Sequence, residues 1–179
     1  MTAAEVYFLK AEAALRGWTG AGDAQANYET GISTSFEQHG SSGVSDYIAD
    51  NASTPADYID PVNASNNATA LSTITIAWDV GGTNEEKLER IITQKWIAMF
   101  PEGQEAWGEF RRTGYPKIFP TVSNQSGGTI DTNIQIRRIP FVDSELSTNP
   151  EGVAGAVSAL SGPDNGGTRL WWDTGGPNF

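Results

Sequence analysis

One histidine, 22 carboxylates and no cysteine bound the chemistry open to this 179-residue chain. A serine or threonine nucleophile needs a neighbouring base, and that base would have to be His39. The spacing puts His39 at the end of an amphipathic helix, just before Gly40, where an imidazolium suits the negative end of a helix better than a triad. Paired carboxylates could cleave glycosides if held about 5 to 9.5 Å apart. Asp57 with Asp60, Glu85 with Glu86 and Asp143 with Glu145 are close in sequence. With 22 acids in the chain such neighbours are inevitable, and each pair reads as loop or helix-start charge. Asp164-Asn165-Gly166-Gly167 and Asp173-Thr174-Gly175 could offer oxygens to calcium, but they lack the register and closing glutamate of a calcium loop and read as turns. Without cysteine there is no disulfide and no thiolate metal site. The expectation is a chain with no catalytic residue, no metal and no cofactor: not an enzyme.

Binding is the chemistry left. The doublets Arg111-Arg112 and Arg137-Arg138 could grip an anion, but one arginine of such a pair more simply meets an acid or the last carbonyls of a helix while the other lies along the surface. The sharper signal is aromatic. Tyr47, Tyr58, Trp78, Trp171 and Trp172 fall in segments that read as loops. An aromatic ring there can pack on the apolar face of a sugar while nearby Asp, Asn and Gln bond its hydroxyls. Trp171 and Trp172 read as plugs beneath a loop-rich tail. Trp78 is followed by Asp79 and a Gly81-Gly82 pair at the end of an extended segment, and is the leading candidate for stacking. The candidate ligand set is Trp78, Asp79, Tyr58 and Tyr47.

Composition narrows the ligand. A net charge of −11 with only 11 Lys and Arg argues against nucleic acid. The same charge would be repelled by an anionic membrane surface. No run of about 20 apolar residues is present for a spanning helix. Met1 leads straight into an amphipathic helix, which predicts either a cytoplasmic protein or one whose leader has been removed.

Helices must position these groups. Ala4, Tyr7, Ala11, Ala14 and Trp18 recur at spacings of three and four and predict a helix over 3–18 whose small-residue face lets a second helix come close. Asp23 suits the N-cap of a helix over 24–39, with Tyr28, Ile32 and Phe36 as its stripe. The two form a helix hairpin, the unit of tetratricopeptide-like stacks, whose remaining face must be covered from later in this chain or from an N-terminal part that precedes it. Residues 41–83, rich in Ser, Thr, Asn and Gly, read as a long excursion with a short helix near 45–50 and a strand or extended pass over Leu71–Trp78. A helix over 84–100 carries Leu88, Ile91, Ile92, Trp96 and Met99, with the Lys95 stem at the edge of that face. Pro101-Glu102-Gly103 makes a corner into a shorter helix that stops at Gly114. Trp96, Trp107 and Phe110 are expected in the core. Short helical segments begin at Asp143 and cover 152–161.

Several strings together resemble one family. Gln94-Lys95-Trp96, Glu105-Ala106-Trp107 and Arg111-Arg112-Thr113-Gly114 are similar to the late helices of the SusD/RagB family. Ala4-Glu5-Val6-Tyr7-Phe8-Leu9 with Ala11-Glu12-Ala13, Tyr28-Glu29-Thr30-Gly31-Ile32, Arg137-Arg138-Ile139-Pro140-Phe141, and Leu170-Trp171-Trp172-Asp173 resemble further landmarks of that family, in its order. The resemblance implies an all-α fold of tetratricopeptide-like helix hairpins with long irregular loops. It also implies that residues 1–179 are a single domain, the C-terminal part of a protein two to three times longer. Within it lie a hairpin (1–40), an insertion (41–83), a helix-corner-helix (84–114) and an irregular subdomain (115–179). It implies non-catalytic capture of a glycan or other nutrient at the outer-membrane surface, with delivery to a SusC-like TonB-dependent transporter. Membrane contact would run only through an N-terminal lipid anchor outside this chain. The alternative is a helical-repeat module that binds another protein and has no ligand site of its own.

Overall fold

The computed structural model describes residues 1–179. It is helical, with no strand: α1 (Ala3–Leu15), α2 (Ala24–Gln38), α3 (Val44–Ile48), α4 (Asn84–Ala98), α5 (Gly103–Thr113), α6 (Asp143–Thr148) and α7 (Pro150–Ser158). The residues group into two compact units, the first comprising 1–57, 69–118 and 177–179, the second 58–68 and 119–176.

Local chemistry sets the helix ends of the first unit. The Thr2 hydroxyl accepts from the Glu5 amide and the Glu5 carboxylate from the Thr2 amide, a reciprocal cap that starts α1. Thr83 and Glu86 start α4 in the same way. Asp23 caps α2, as expected. Gly114, at φ 77°, takes the left-handed turn that ends α5. Gly17, at φ 75°, does the same just past α1. That helix therefore stops at Leu15, and Trp18 lies outside it and 68% exposed rather than on its packed face.

α1 packs on both α2 and α4. Gly31 makes the first contact possible, because a Cβ there would stand 2.9 Å from the Phe8 ring. The core is Ala4, Phe8, Ala11, Tyr28, Ile32, Leu88, Ile91, Ile92 and Ala98. Leu71–Trp78 is no strand. It is an extended pass with no ladder partner, pinned by the Tyr28 hydroxyl donating to the Ile76 carbonyl (2.7 Å) and the Ala77 amide donating to the Asp50 carbonyl (2.8 Å).

Two expectations about α4 are corrected. Lys95 does not lie at the edge of the apolar face; it is 1% exposed, with its ammonium 2.7 Å from Glu109, 3.5 Å from Glu105 and 4.0 Å from Glu5. Trp96 is 42% exposed, because Leu88, Ile92, Lys95 and Met99 take the inward stripe and Trp96 is turned off it. Phe110 is buried as expected, and Trp107 is half-buried with the Arg111 guanidinium 3.6 Å from its ring centre. Arg112 forks onto Glu12 at 2.7 and 2.6 Å and reaches Glu109 at 2.5 Å, joining α5 to α1. Arg16 adds a 2.9 Å bond to Glu12. Burial pushes the Glu12 carboxyl up, but Arg112 and Arg16 more than offset this and leave it below its usual range. Glu85 holds residues 177–179 to this unit, accepting from the Asn178 amide at 2.6 Å, its side chain at 3.0 Å and the Tyr115 hydroxyl at 2.9 Å.

The second unit has few buried apolar side chains and is organised by ion pairs. Arg137 forks onto Asp173 at 2.7 and 2.6 Å, Arg169 reaches the same carboxylate at 2.5 Å, and Arg138 pairs with Asp164. Asp173 and Thr168, rather than either tryptophan, are the buried residues of the tail. Trp172 is half-buried, and Trp171 is 90% exposed, not a core plug. His39 is the C-cap of α2 and is exposed.

Lys95→Met, which keeps the stem and removes the charge, is expected to cost about 3 kcal/mol by leaving Glu109 and Glu5 buried without it. Trp96→Ala is expected to cost about 1 kcal/mol or less; urea unfolding of both variants checks the contrast. Because the Glu12 carboxyl is depressed in the folded state, its contribution is fully present above the unfolded value of about 4.3 and is lost as pH falls through the lower folded value. Glu12→Gln should therefore show a shallower loss of stability below about pH 4 than the parent in acid titrations followed by circular dichroism.

Candidate functional site

An open pocket of ≈ 370 Å³ in the second unit is lined by Tyr58, Asp60, Asn66, Ala68, Phe119, Pro120 and Val122. Its volume is at the small end of the range for small-molecule sites, about 300 to 1,000 Å³. One wall is the loop 58–68. Tyr58 and Ala68 close its neck with a pair of backbone hydrogen bonds, 2.9 Å from the Tyr58 amide and 3.0 Å from the Ala68 amide. Asp60 organises the interior of the loop. Its Oδ1 accepts from the amides of Val62 (2.8 Å) and Asn63 (2.9 Å), and its Oδ2 from the Asn66 side chain (2.8 Å). Asn67 returns the contact, accepting from the Asp60 amide at 2.8 Å, and Asn63 caps the single 3-10 turn Ala64–Asn66. The Asn66 side chain and the Asn63 and Val62 amides hold the Asp60 carboxyl below its usual range.

The other wall is Phe119-Pro120 with Val122. Gln135 donates to the Phe119 carbonyl at 2.8 Å, and the Thr121 amide donates to the Thr132 carbonyl at 3.3 Å. The Tyr58 and Phe119 rings lie 6.1 Å apart and inclined by 49°. Tyr58 is 46% and Phe119 38% exposed, so both keep ring surface open to a ligand. Aromatic faces beside a carboxylate, an amide and a phenol suit a ligand with C–H faces and hydroxyls on the same ring. Asp60 is the single carboxylate of this lining, so the pocket does not hold the two acids of glycoside hydrolysis.

The residues singled out from sequence separate. Tyr58 lines the pocket. Trp78 is half-buried in the first unit, its ring centre 5.3 Å from Tyr28. Tyr47 is likewise half-buried there, its ring 5.1 Å from Phe36 and its hydroxyl accepting from Gln94 at 3.0 Å. Asp79 is exposed and accepts from the Gly81 amide at 2.9 Å, shaping the turn before α4. Sequence reading missed Phe119, Pro120, Val122 and Asn66, and took Asp60 only as half of an acid pair with Asp57. Asp57 instead accepts from the Ala70 amide at 2.8 Å. The signal that could have found the second wall is Phe119-Pro120 itself, an aromatic in an irregular polar stretch with no helical stripe to join.

The comparisons settle the family. A model described as "Susd and RagB outer membrane lipoprotein" matches residues 1–173. The chain belongs to the SusD/RagB family. A solved structure of a chitin-binding SusD homolog from Flavobacterium johnsoniae is 60% identical with a TM-score of 0.96, over 100% of this chain and 37% of that one. A SusD homolog from Bacteroides vulgatus is 50% identical at TM-score 0.93, over 100% and 36%. A SusD-like protein from Bacteroides thetaiotaomicron is 47% identical at TM-score 0.91, over 96% and 36%. The chain thus spans little more than a third of the length of these SusD-like structures. No curated protein matches it. The helical fold expected from sequence is the SusD-like fold.

Trp78→Ala is expected to lower unfolding free energy by about 2 kcal/mol, less than for a fully buried aromatic, through loss of its packing on Tyr28. Thermal melts of Trp78→Ala beside Tyr58→Ala check this, since the exposed Tyr58 ring should cost far less.

Proposed function

We propose that this chain is part of a non-catalytic glycan-binding protein of the bacterial outer-membrane surface, and that the longer protein hands its ligand to a SusC-like TonB-dependent transporter. The observation that carries the reading is 60% identity over the whole chain with a protein described as a chitin-binding SusD homolog. The family description as outer-membrane lipoproteins supports the location. The pocket walled by Tyr58 and Phe119 supplies suitable chemistry, two open rings beside hydrogen-bonding groups, without a pair of acids to cut the chain. A net charge of −11 disfavours polyanionic ligands, so a neutral amino-sugar polymer fits better than a nucleic acid or an acidic polysaccharide.

Among the four residues singled out from sequence, Tyr58 is the one we assign to the ligand. Trp78 and Tyr47 use their rings in packing, and Asp79 uses its carboxylate in a turn. The protein is expected to be retarded on a native gel cast with soluble glycol chitin, and to release no reducing ends from it over hours. Migration unchanged by the polymer would refute the binding, and steady release of sugar would refute the absence of catalysis.

A further inference from the structure

The Tyr58–Phe119 pocket has an electrostatic character that ring stacking alone does not require. Its lining contains one full charge, the Asp60 carboxylate, and no Lys, Arg or His. The other polar groups are the Asn66 amide and the Tyr58 phenol; Ala68, Phe119, Pro120 and Val122 are apolar. A carboxylate has about four lone-pair positions. Three are taken, two on Oδ1 by Val62 and Asn63 and one on Oδ2 by Asn66. One position on Oδ2 is left, on a group that its own loop fixes in place.

We infer that this pocket is a sugar subsite selective by charge, taking neutral N-acetylated amino sugars, taking deacetylated, cationic amino sugars more tightly, and rejecting uronic acids and sulfated sugars. This rests on the glycan-binding reading above. The apolar wall of Ala68, Pro120 and Val122 suits the methyl of an acetamido group, and the Tyr58 and Phe119 rings suit the ring C–H faces. Where the acetyl group is missing, the amine is protonated at neutral pH and can donate to the free position on Asp60, with Coulomb attraction added to the hydrogen bond. A sugar carboxylate or sulfate placed there meets Asp60 with no cation in the lining to offset the repulsion, in a chain whose net charge is already −11.

Calorimetric titration with three oligosaccharides of equal length tests the assignment: N-acetylglucosamine oligomers, fully deacetylated glucosamine oligomers, and oligogalacturonate. The deacetylated oligomer is expected to bind about fivefold tighter than the acetylated one at low salt, the scale of a surface ion pair. That preference should collapse at about 0.5 M salt, where the screening length is only a few ångströms. Oligogalacturonate should not bind. Asp60→Asn should abolish the preference for the deacetylated oligomer, whatever it does to the affinity for both amino sugars. Tyr58→Ala should weaken both amino sugars by about tenfold or more, the cost of losing an aromatic anchor. Equal affinity for the cationic and neutral oligomers, or a preference that survives both salt and Asp60→Asn, overturns the charge selectivity. Binding by the parent that Tyr58→Ala leaves unchanged removes the pocket as the site but leaves the glycan-binding function standing. No binding of any amino-sugar oligomer by the parent overturns the functional reading itself.

Discussion

Everything in the first unit depends on how a few charges are kept inside it. Lys95 is buried on α4, and it is tolerable there only because Glu109 of α5 stands 2.7 Å away, with Glu5 of α1 close by. Arg112 then ties Glu109 back to Glu12, so α1, α4 and α5 meet through ionic contacts as well as through apolar ones. A dry ion pair of this kind is not a large source of stability, since desolvation consumes most of its Coulomb gain. What it supplies is register. Sliding α5 along α4 by one turn would strand a cation and two carboxylates in the interior, at a cost of several kcal/mol. The apolar residues of the core would accept many packings; the charges accept one.

The second unit solves the same problem with less apolar material. Asp173 receives two arginines, and Arg138 takes Asp164. These pairs draw the chain around 137–141 and 164–173 together where no helix stripe could. The fixed loop 58–68 follows the same logic, with the Asp60 carboxylate holding two backbone amides and the Asn66 side chain. Carboxylates thus serve as assembly points in both units.

This explains which features could be read from sequence. The helices at 3–15, 24–38 and 84–98 follow from caps and from three- and four-residue spacing, both local, and were placed within about three residues at each end. Gly114 ends α5 because only a left-handed residue fits there, again a local rule. Lys95 could not be read as buried, because its partner Glu109 lies on another helix and a charge in a stripe otherwise reads as its rim. Trp96 and Trp171 were misplaced for the converse reason. Size and apolarity argue for the core, but the inward positions were already taken, by Lys95 in one case and by Asp173 in the other. The pocket was half legible. Tyr58 stood out as an aromatic in a polar loop, while Phe119 is distant in sequence and joins it only through folding. The family strings were more informative than any single spacing, because they preserve the order of landmarks along nearly the whole chain.

Glu85 leaves a mark on how such a protein can change. By holding Asn178 it returns residues 177–179 to the first unit, so the stretch from Phe119 to Gly176 leaves that unit at one end and is moored back to it at the other. Along the chain, the second unit is thus inserted twice into the first, as 58–68 and as 119–176. Doubling the length of a closed loop adds only about 0.6 kcal/mol of closure entropy. Insertions and deletions in the walls of the pocket therefore cost little in closure entropy, and a lineage can resurface the pocket by changing their length.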